Sequence, residues 1–163
     1  MFDFRIALVC IALVTSAVSA TAQETQVAFG STQADPSLPV EVTSETLNVN
    51  QENGSAEFLG NVIVIQGEMR LTAERVLVIY NNERSAIERL EATEDVVLVS
   101  PPDAAQGDWA EYTIDSGVIL MKGNVLLTQG PSVISGDQMN ANLTTGTATM
   151  TGRVKTILQQ GNN

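Results

Sequence analysis

The octapeptide Gly60-Asn61-Val62-Ile63-Val64-Ile65-Gln66-Gly67 returns 63 residues later as Gly123-Asn124-Val125-Leu126-Leu127-Thr128-Gln129-Gly130. A worn copy, Glu94-Asp95-Val96-Val97-Leu98-Val99-Ser100-Pro101, lies between them, and a fourth begins at Gly152-Arg153-Val154-Lys155-Thr156, so the spacings are 34, 29 and 29. The flanks keep the register: Leu71-Thr72-Ala73-Glu74-Arg75-Val76 aligns with Ile134-Ser135-Gly136-Asp137-Gln138-Met139, and Thr43-Ser44-Glu45-Thr46-Leu47 matches half of it. A unit of about 30 residues that cannot bury its own apolar face must stack on its neighbours. Such a chain is restricted to a stack of like units.

Within each unit the apolar residues recur at every second position, the period of a strand, and glycine interrupts any helical run. One parity collects Phe58, Val62 and Val64, then Leu90, Val96 and Leu98, then Ile119, Met121, Val125 and Leu127. Past the Gln-Gly positions it continues as Leu71, Val76, Val78 and Tyr80, as Tyr112, and as Met139. This set is uniformly apolar and is expected to face inward. The parity slips between Ala73 and Val76, which predicts a bulge at Ala73-Glu74 and at its copy Gly136-Asp137. Turn chemistry falls at equivalent places, Gln51-Glu52-Asn53-Gly54, Asn81-Asn82-Glu83-Arg84, Asp115-Ser116-Gly117 and Thr144-Thr145-Gly146, because Asn, Asp and Gly tolerate the positive φ of tight connections. Each unit reads as two strands before its turn and two after. The expected fold is all-β: an antiparallel open β-jelly roll built from repeated strand units of about 30 residues, its two sheets face to face.

Residues 1–22 read as a signal peptide: Arg5 precedes an apolar run, Ile6 to Val18, too short to span a bilayer and followed by small-residue sites ending at Ala20 and Ala22. Residues 23–38 are polar and aperiodic and read as a flexible leader. The β domain is expected over 39–158, beginning with the alternating Pro39 to Glu45, and 159–163 form a tail. Cys10, the only cysteine, sits inside the signal, so the exported part has no thiol and must be held by packing and backbone ladders.

A formal charge of −11 disfavours a nucleic-acid partner, which needs a basic face. Arg70, Arg75, Arg84 and Arg89 could meet head-group phosphates, although solvated strand and turn roles account for them more simply. With no histidine in the chain, His-dependent nucleophilic catalysis and most transition-metal sites are excluded, and no cofactor is implied. Asp108, Glu111 and Asp115 beside Trp109 could make an acid/base pair, but outward strand positions explain them better, and the chain reads as a non-enzyme. Glu74 and Asp137 occupy matching bulge sites, where a carboxylate can accept backbone N–H bonds. Trp109 is expected on the outward face, in the position of Arg75 and Gln138.

Taken in order, Pro39 to Glu45, Phe58-Leu59-Gly60-Asn61-Val62, Gln66-Gly67, Leu71 to Val76, and the later Gly123-Asn124-Val125, Gln129-Gly130 and Gly152-Arg153-Val154 resemble the LptA/OstA family of lipopolysaccharide transport periplasmic proteins. The resemblance covers about Pro39 to Leu158. It implies a twisted β-jelly roll open at both ends, in the periplasm of a Gram-negative bacterium. It further implies binding of the lipid A acyl chains of lipopolysaccharide by the inward apolar face just given. Members bridge an inner-membrane export complex to the outer-membrane assembly protein and associate head to tail. Pro101-Pro102 replaces the expected Gln-Gly in the worn copy, which suggests a locally broken strand.

Two other readings share the same alternation. One is a structural β-repeat protein, an envelope spacer or adhesin with a dry core. The other is the membrane-anchored relative of the same bridge, which would keep its first 20 residues. A carrier differs from a spacer in needing an interior that lipid tails can enter.

Overall fold

The computed structural model describes residues 25–30, 35–83 and 85–158; the signal-like stretch 1–22, Arg84 and the tail 159–163 lie outside them. Among the described residues every helix or strand is a strand: β1 (Thr25–Ala28), β2 (Glu41–Thr43), β3 (Thr46–Asn50), β4 (Ser55–Gln66), β5 (Met69–Tyr80), β6 (Ile87–Ser100), β7 (Asp103–Thr113), β8 (Val118–Gln129), β9 (Ser132–Asn142), β10 (Thr147–Thr151) and β11 (Lys155–Ile157). All pairings are antiparallel in one open sheet, ordered β1-β10-β9-β8-β7-β6-β5-β4-β2, with β3 also on β4 and β11 also on β9.

The six central strands are long because each bends in its middle. The register shifts at Leu59/Val62, Thr72/Arg75, Thr93/Val96, Gln106/Trp109 and Lys122/Val125, positions that lie beside one another across the sheet. The result is a straight corner dividing the sheet into two arms. One carries the longer connections, 51–54, 81–86, 114–117 and 143–146; the other carries two-residue turns at 67–68, 101–102 and 130–131. The two strands expected on either side of each turn are thus halves of one bent strand, and the two expected sheets are the arms of one folded sheet. The terminal strands follow the same rule. β2 and β3 form a broken strand against β4, and β10 and β11 form another against β9, so the fold contains eight bent strands with β1 added at one edge.

The corner has a repeated local cause. Gly60-Asn61, Glu94-Asp95, Gly123-Asn124 and Gly152-Arg153 each place two successive residues at positive φ, between 46° and 80°. Glycine at the first position suits this conformation, and Asn is among the side chains that tolerate it best at the second. A carboxylate on the preceding strand sits against three of these pairs: Glu45 accepts from Asn61 Nδ2 at 2.5 Å, Asp108 from Asn124 Nδ2 at 3.0 Å, and Asp137 from Arg153 Nε at 3.1 Å. The parity slip near Glu74 and Asp137 does mark the corner. Its left-handed pair, however, lies on the neighbouring strand, and Asp137 accepts from a side chain rather than from the backbone.

The arms close on each other. Tyr112, near the tip of the long-turn arm, donates its hydroxyl to Gln66 Oε1 at the tip of the short-turn arm, 2.5 Å away. Between corner and tips lies the core, which includes Val62, Val64, Leu71, Val76, Leu90, Leu98, Ile119, Met121, Leu127 and Met139.

Three expectations change. Thr25–Ala28 is a strand and Phe29 is buried, so the folded part starts well before residue 39 and the leader is not wholly unstructured. The Pro101-Pro102 turn breaks no strand: Ser100 and Asp103 still pair across it, and its peptide bond is cis. Tyr80, expected inside, is 37% exposed because the ladder shifts again at Ile79/Tyr80, where β5 reaches its turn.

Candidate functional site

The inward face is one apolar surface running the length of the fold. Val62, Val64, Leu71, Val76, Val78, Leu90, Val96, Leu98, Tyr112, Ile119, Met121, Val125, Leu127 and Met139 are all buried, at no more than 1% exposure. Phe58, the remaining predicted residue, is half-buried and packs against the same core. Such low exposure leaves no water-sized space beside these side chains, so in this state the arms are packed together.

Sequence reasoning missed three parts of this surface. Phe29 belongs to it although it lies in the stretch read as leader; the short alternation Gln26-Val27-Ala28-Phe29 is the signal that could have revealed it. Ala148 and Met150 of β10 are also buried inside, opposite Ala141 and Met139. At the opposite edge, Leu47 and Val49 of β3 pair with Phe58 and Ala56 and so face inward, yet they are 53% and 65% exposed. Among the described residues no strand covers β3 on its outer side, and Leu47 and Val49 are left uncovered at that end.

Polar groups gather at the arm tips. Gln66 and its repeat equivalent Gln129 both hold the N-terminal segment: Gln66 Nε2 donates to the Leu38 carbonyl at 2.9 Å and to that of Pro36 at 3.2 Å, and Gln129 Nε2 donates to the Ala28 carbonyl at 2.5 Å. Asp103 accepts from the Gly30 N–H at 2.8 Å and from Gln129 Nε2 at 3.1 Å. Burial pushes the Tyr112 phenol up to about 12, because the phenolate would lose its hydration inside the protein.

On the outer face two of the four arginines considered for head-group phosphates are already paired, Arg70 is exposed, and Arg84 lies outside the described residues. Arg75 Nε pairs with Glu57 at 2.7 Å, and Arg89 lies between Glu88, Glu91 and Glu111, which hold its guanidinium above its ordinary value, Glu91 foremost through a hydrogen bond. Trp109 shares a row with Arg75, Thr93, Lys122 and Gln138, as the repeat predicted, and Lys122 Nζ lies 5.2 Å from its ring centre. The three carboxylates considered for catalysis are dispersed. Asp108 is engaged at the corner, Glu111 faces Arg89, and Asp115 lies in the turn after β7. Among the described residues no cluster of His, Cys, Asp or Glu could hold a metal ion. Shallow clefts of about 500 and 430 Å³ are lined mainly by outward-facing and corner residues such as Glu57, Arg75, Leu77, Gln106 and Asp137.

Comparison with known proteins returns the same kind of bent antiparallel sheet. The family model for the LptA/(LptD N-terminal domain) LPS transport protein matches residues 41–147. The chain belongs to this family. A protein of Rhizobium meliloti (strain 1021), itself uncharacterised, is 30% identical over 140 residues, covering 81% of this chain and 75% of its own length. Among solved structures, LptH from Pseudomonas aeruginosa, described as the LptA-homologous periplasmic component of the lipopolysaccharide transport device, superposes with a TM-score of 0.71. That superposition covers 78% of this chain and 99% of LptH at 15% sequence identity, and at that identity it speaks for the fold. The antiparallel open β-jelly roll expected from the repeats is the fold of this family member. The corner, the packed interior and the uncovered β3 edge are what it offers for transport.

Proposed function

We propose that this protein is a non-enzymatic periplasmic carrier. It holds the acyl chains of lipopolysaccharide against its inward apolar face and passes the lipid from an inner-membrane export complex toward the outer-membrane assembly protein. The observation that carries this reading is the unbroken apolar strip from Leu47 and Val49, uncovered at the β3 edge, to Met150 at the other, within a chain of this family. A strip of this kind takes hydrocarbon without needing charge, in keeping with a net charge of −11 and with Arg75 and Arg89 already engaged by carboxylates. Loading requires the arms to part about the corner, acyl chains replacing the contacts between facing side chains. Residues 1–22 serve as the export signal, and molecules associate head to tail. Intact-mass measurement of exported protein should place its first residue at Thr21 or Gln23; retention of Met1 would favour the membrane-anchored relative.

The tight packing of the interior favours a second reading, a structural envelope spacer whose core never opens. Mass spectrometry of lipids co-purified from native membranes separates the two. A carrier brings acylated glycolipid with it in proportion to protein; repeated recovery of lipid-free protein under mild extraction would leave the spacer.

A further inference from the structure

The two terminal edges of the sheet are built alike. At the N-terminal end β2 and β3 have three and five residues; at the C-terminal end β11 and β10 have three and five, in the same two arms. β2-β3 runs from the short-turn arm to the long-turn arm and β10-β11 runs back. A second copy placed in the same orientation against β10-β11 would therefore continue the antiparallel order with its corner in line. On the short-turn arm no strand covers the outer side of β11 among the described residues. On the long-turn arm the equivalent place, beside β10, is taken by the chain's own β1.

β1 occupies that place in the manner of an incoming strand. It pairs antiparallel with β10 over Thr25↔Met150 to Ala28↔Thr147, and Phe29 continues the ladder by donating its N–H to the Gly146 carbonyl at 2.9 Å. Its pattern Gln26-Val27-Ala28-Phe29, with Val27 and Phe29 against the core, repeats the polar–apolar alternation of Thr46-Leu47-Asn48-Val49 in β3, whose Leu47 and Val49 point inward but lack cover. Gln26 and Ala28 are exposed, and the segment is further held by polar contacts of the Ala28 carbonyl with Gln129 and of the Gly30 N–H with Asp103.

We propose that the β10 edge is an interaction surface for a strand, that β1 fills it in cis, and that β3 of a second copy displaces β1 to fill it in trans. This rests on the head-to-tail association given above and adds to it a condition. Joining at the long-turn arm requires the N-terminal strand to leave, with Leu47 and Val49 of the incoming copy taking the places of Val27 and Phe29. Until then β1 keeps the edge from templating uncontrolled addition.

The test uses the alternation of the ladder. Because Phe29 and Gly146 form a hydrogen-bonded pair, Ala28 and Thr147 form the closer, non-hydrogen-bonded pair that suits a disulfide, while Val27 is the next residue to donate into the ladder. Light scattering over a concentration series is applied to the parent, to Val27→Pro, and to Ala28→Cys/Thr147→Cys in a Cys10→Ser background. Oxidised, the double-cysteine protein should stay monomeric where the parent associates, and reduction should restore association. Val27→Pro, which loses a ladder bond in cis only, should associate at about ten-fold lower concentration, and adding Leu47→Asp should abolish this. If the oxidised protein associates as the parent does, the β10 edge is not the surface and head-to-tail joining proceeds elsewhere. If parent and Val27→Pro, both folded by circular dichroism, remain monomeric throughout, a second copy is not the occupant. Self-association then falls with this proposal, while lipid loading is judged by its own assay.

Discussion

The Tyr112 hydroxyl lies 2.5 Å from Gln66 Oε1, joining residues 46 apart in sequence and on opposite arms of the folded sheet. Both side chains are buried, so the bond is a fastening inside the protein rather than a surface contact. Tyr112→Phe removes the donor and leaves the Gln66 carbonyl oxygen short of a partner, at a cost of about 1–3 kcal/mol. Urea unfolding should report that loss, and parting of the arms should become easier, with faster uptake of a fluorescent acyl probe. Unchanged stability and uptake would mean that the bond restrains nothing.

The same residue predicts an alkaline limit. Burial raises the folded-state pKa of Tyr112 from 10.0 to about 12, so above pH 10 the unfolded chain releases a proton that the folded chain retains. The stability associated with its neutral burial is full below pH 10 and is lost as pH rises toward 12. Urea midpoints measured across that window should fall in the parent and fall less in Tyr112→Phe. Parallel slopes would show that Tyr112 does not govern the limit.

Glu94 stands at φ 68° where the equivalent residues Gly60, Gly123 and Gly152 stand at 76–80°. A left-handed backbone costs a side chain about 1–2 kcal/mol. Glu94→Gly should therefore raise stability by about 1 kcal/mol, the greater freedom of glycine in the unfolded chain offsetting part of the gain. Gly123→Ala should do the reverse, since it adds the same strain and drives a Cβ into the Asp108 carboxylate. Thermal melts of the two variants decide this, and a destabilised Glu94→Gly contradicts it.

Leu127→Asp places a carboxylate where exposure is 0%, at a cost on the order of several kcal/mol unless it protonates. Where circular dichroism shows the variant folded, lipid loading should be lost. Loading at the parental level would move the binding surface away from the interior.

Arg75→Gln and Arg89→Gln should leave loading within about two-fold of the parent, a change well under the 1.4 kcal/mol that a ten-fold shift represents. Their guanidinium groups are already engaged by Glu57 and by Glu91. A ten-fold loss in binding measured with intact lipopolysaccharide, absent with a dephosphorylated lipid, would instead assign them to head-group phosphates.

Much of the fold was legible because the repeat keeps the same parity along its strands from one copy to the next. Val62 and Val125, or Val64 and Leu127, could be placed inside by counting in twos. What could not be counted was the corner itself. A pair of left-handed residues in β4, β6 and β8 leaves the parity of those strands unchanged, so Gly60-Asn61 and Gly123-Asn124 read as continuous strand, and only the slips at Glu74 and at its copy Asp137 betrayed the bend. Phe29 escaped because four residues of alternation carry little signal, and its place is fixed by a partner far along the chain, the Gly146 carbonyl that accepts from its N–H. The candidate site was legible as an apolar face. That its two arms press together at rest was not, because periodicity fixes which way a side chain points and says nothing of what fills the space before it.

Since every bent strand turns at the same row, the molecule has the geometry of an extrusion: one cross-section drawn out along a line. Its width is set by the length of an arm, and its reach by the number of strands. These two dimensions are independent. Duplicating one unit of about 30 residues adds two strands and roughly 10 Å of length at the usual strand spacing, with no change in the cross-section. Gene duplication alone can lengthen such a profile, without redesigning the wall.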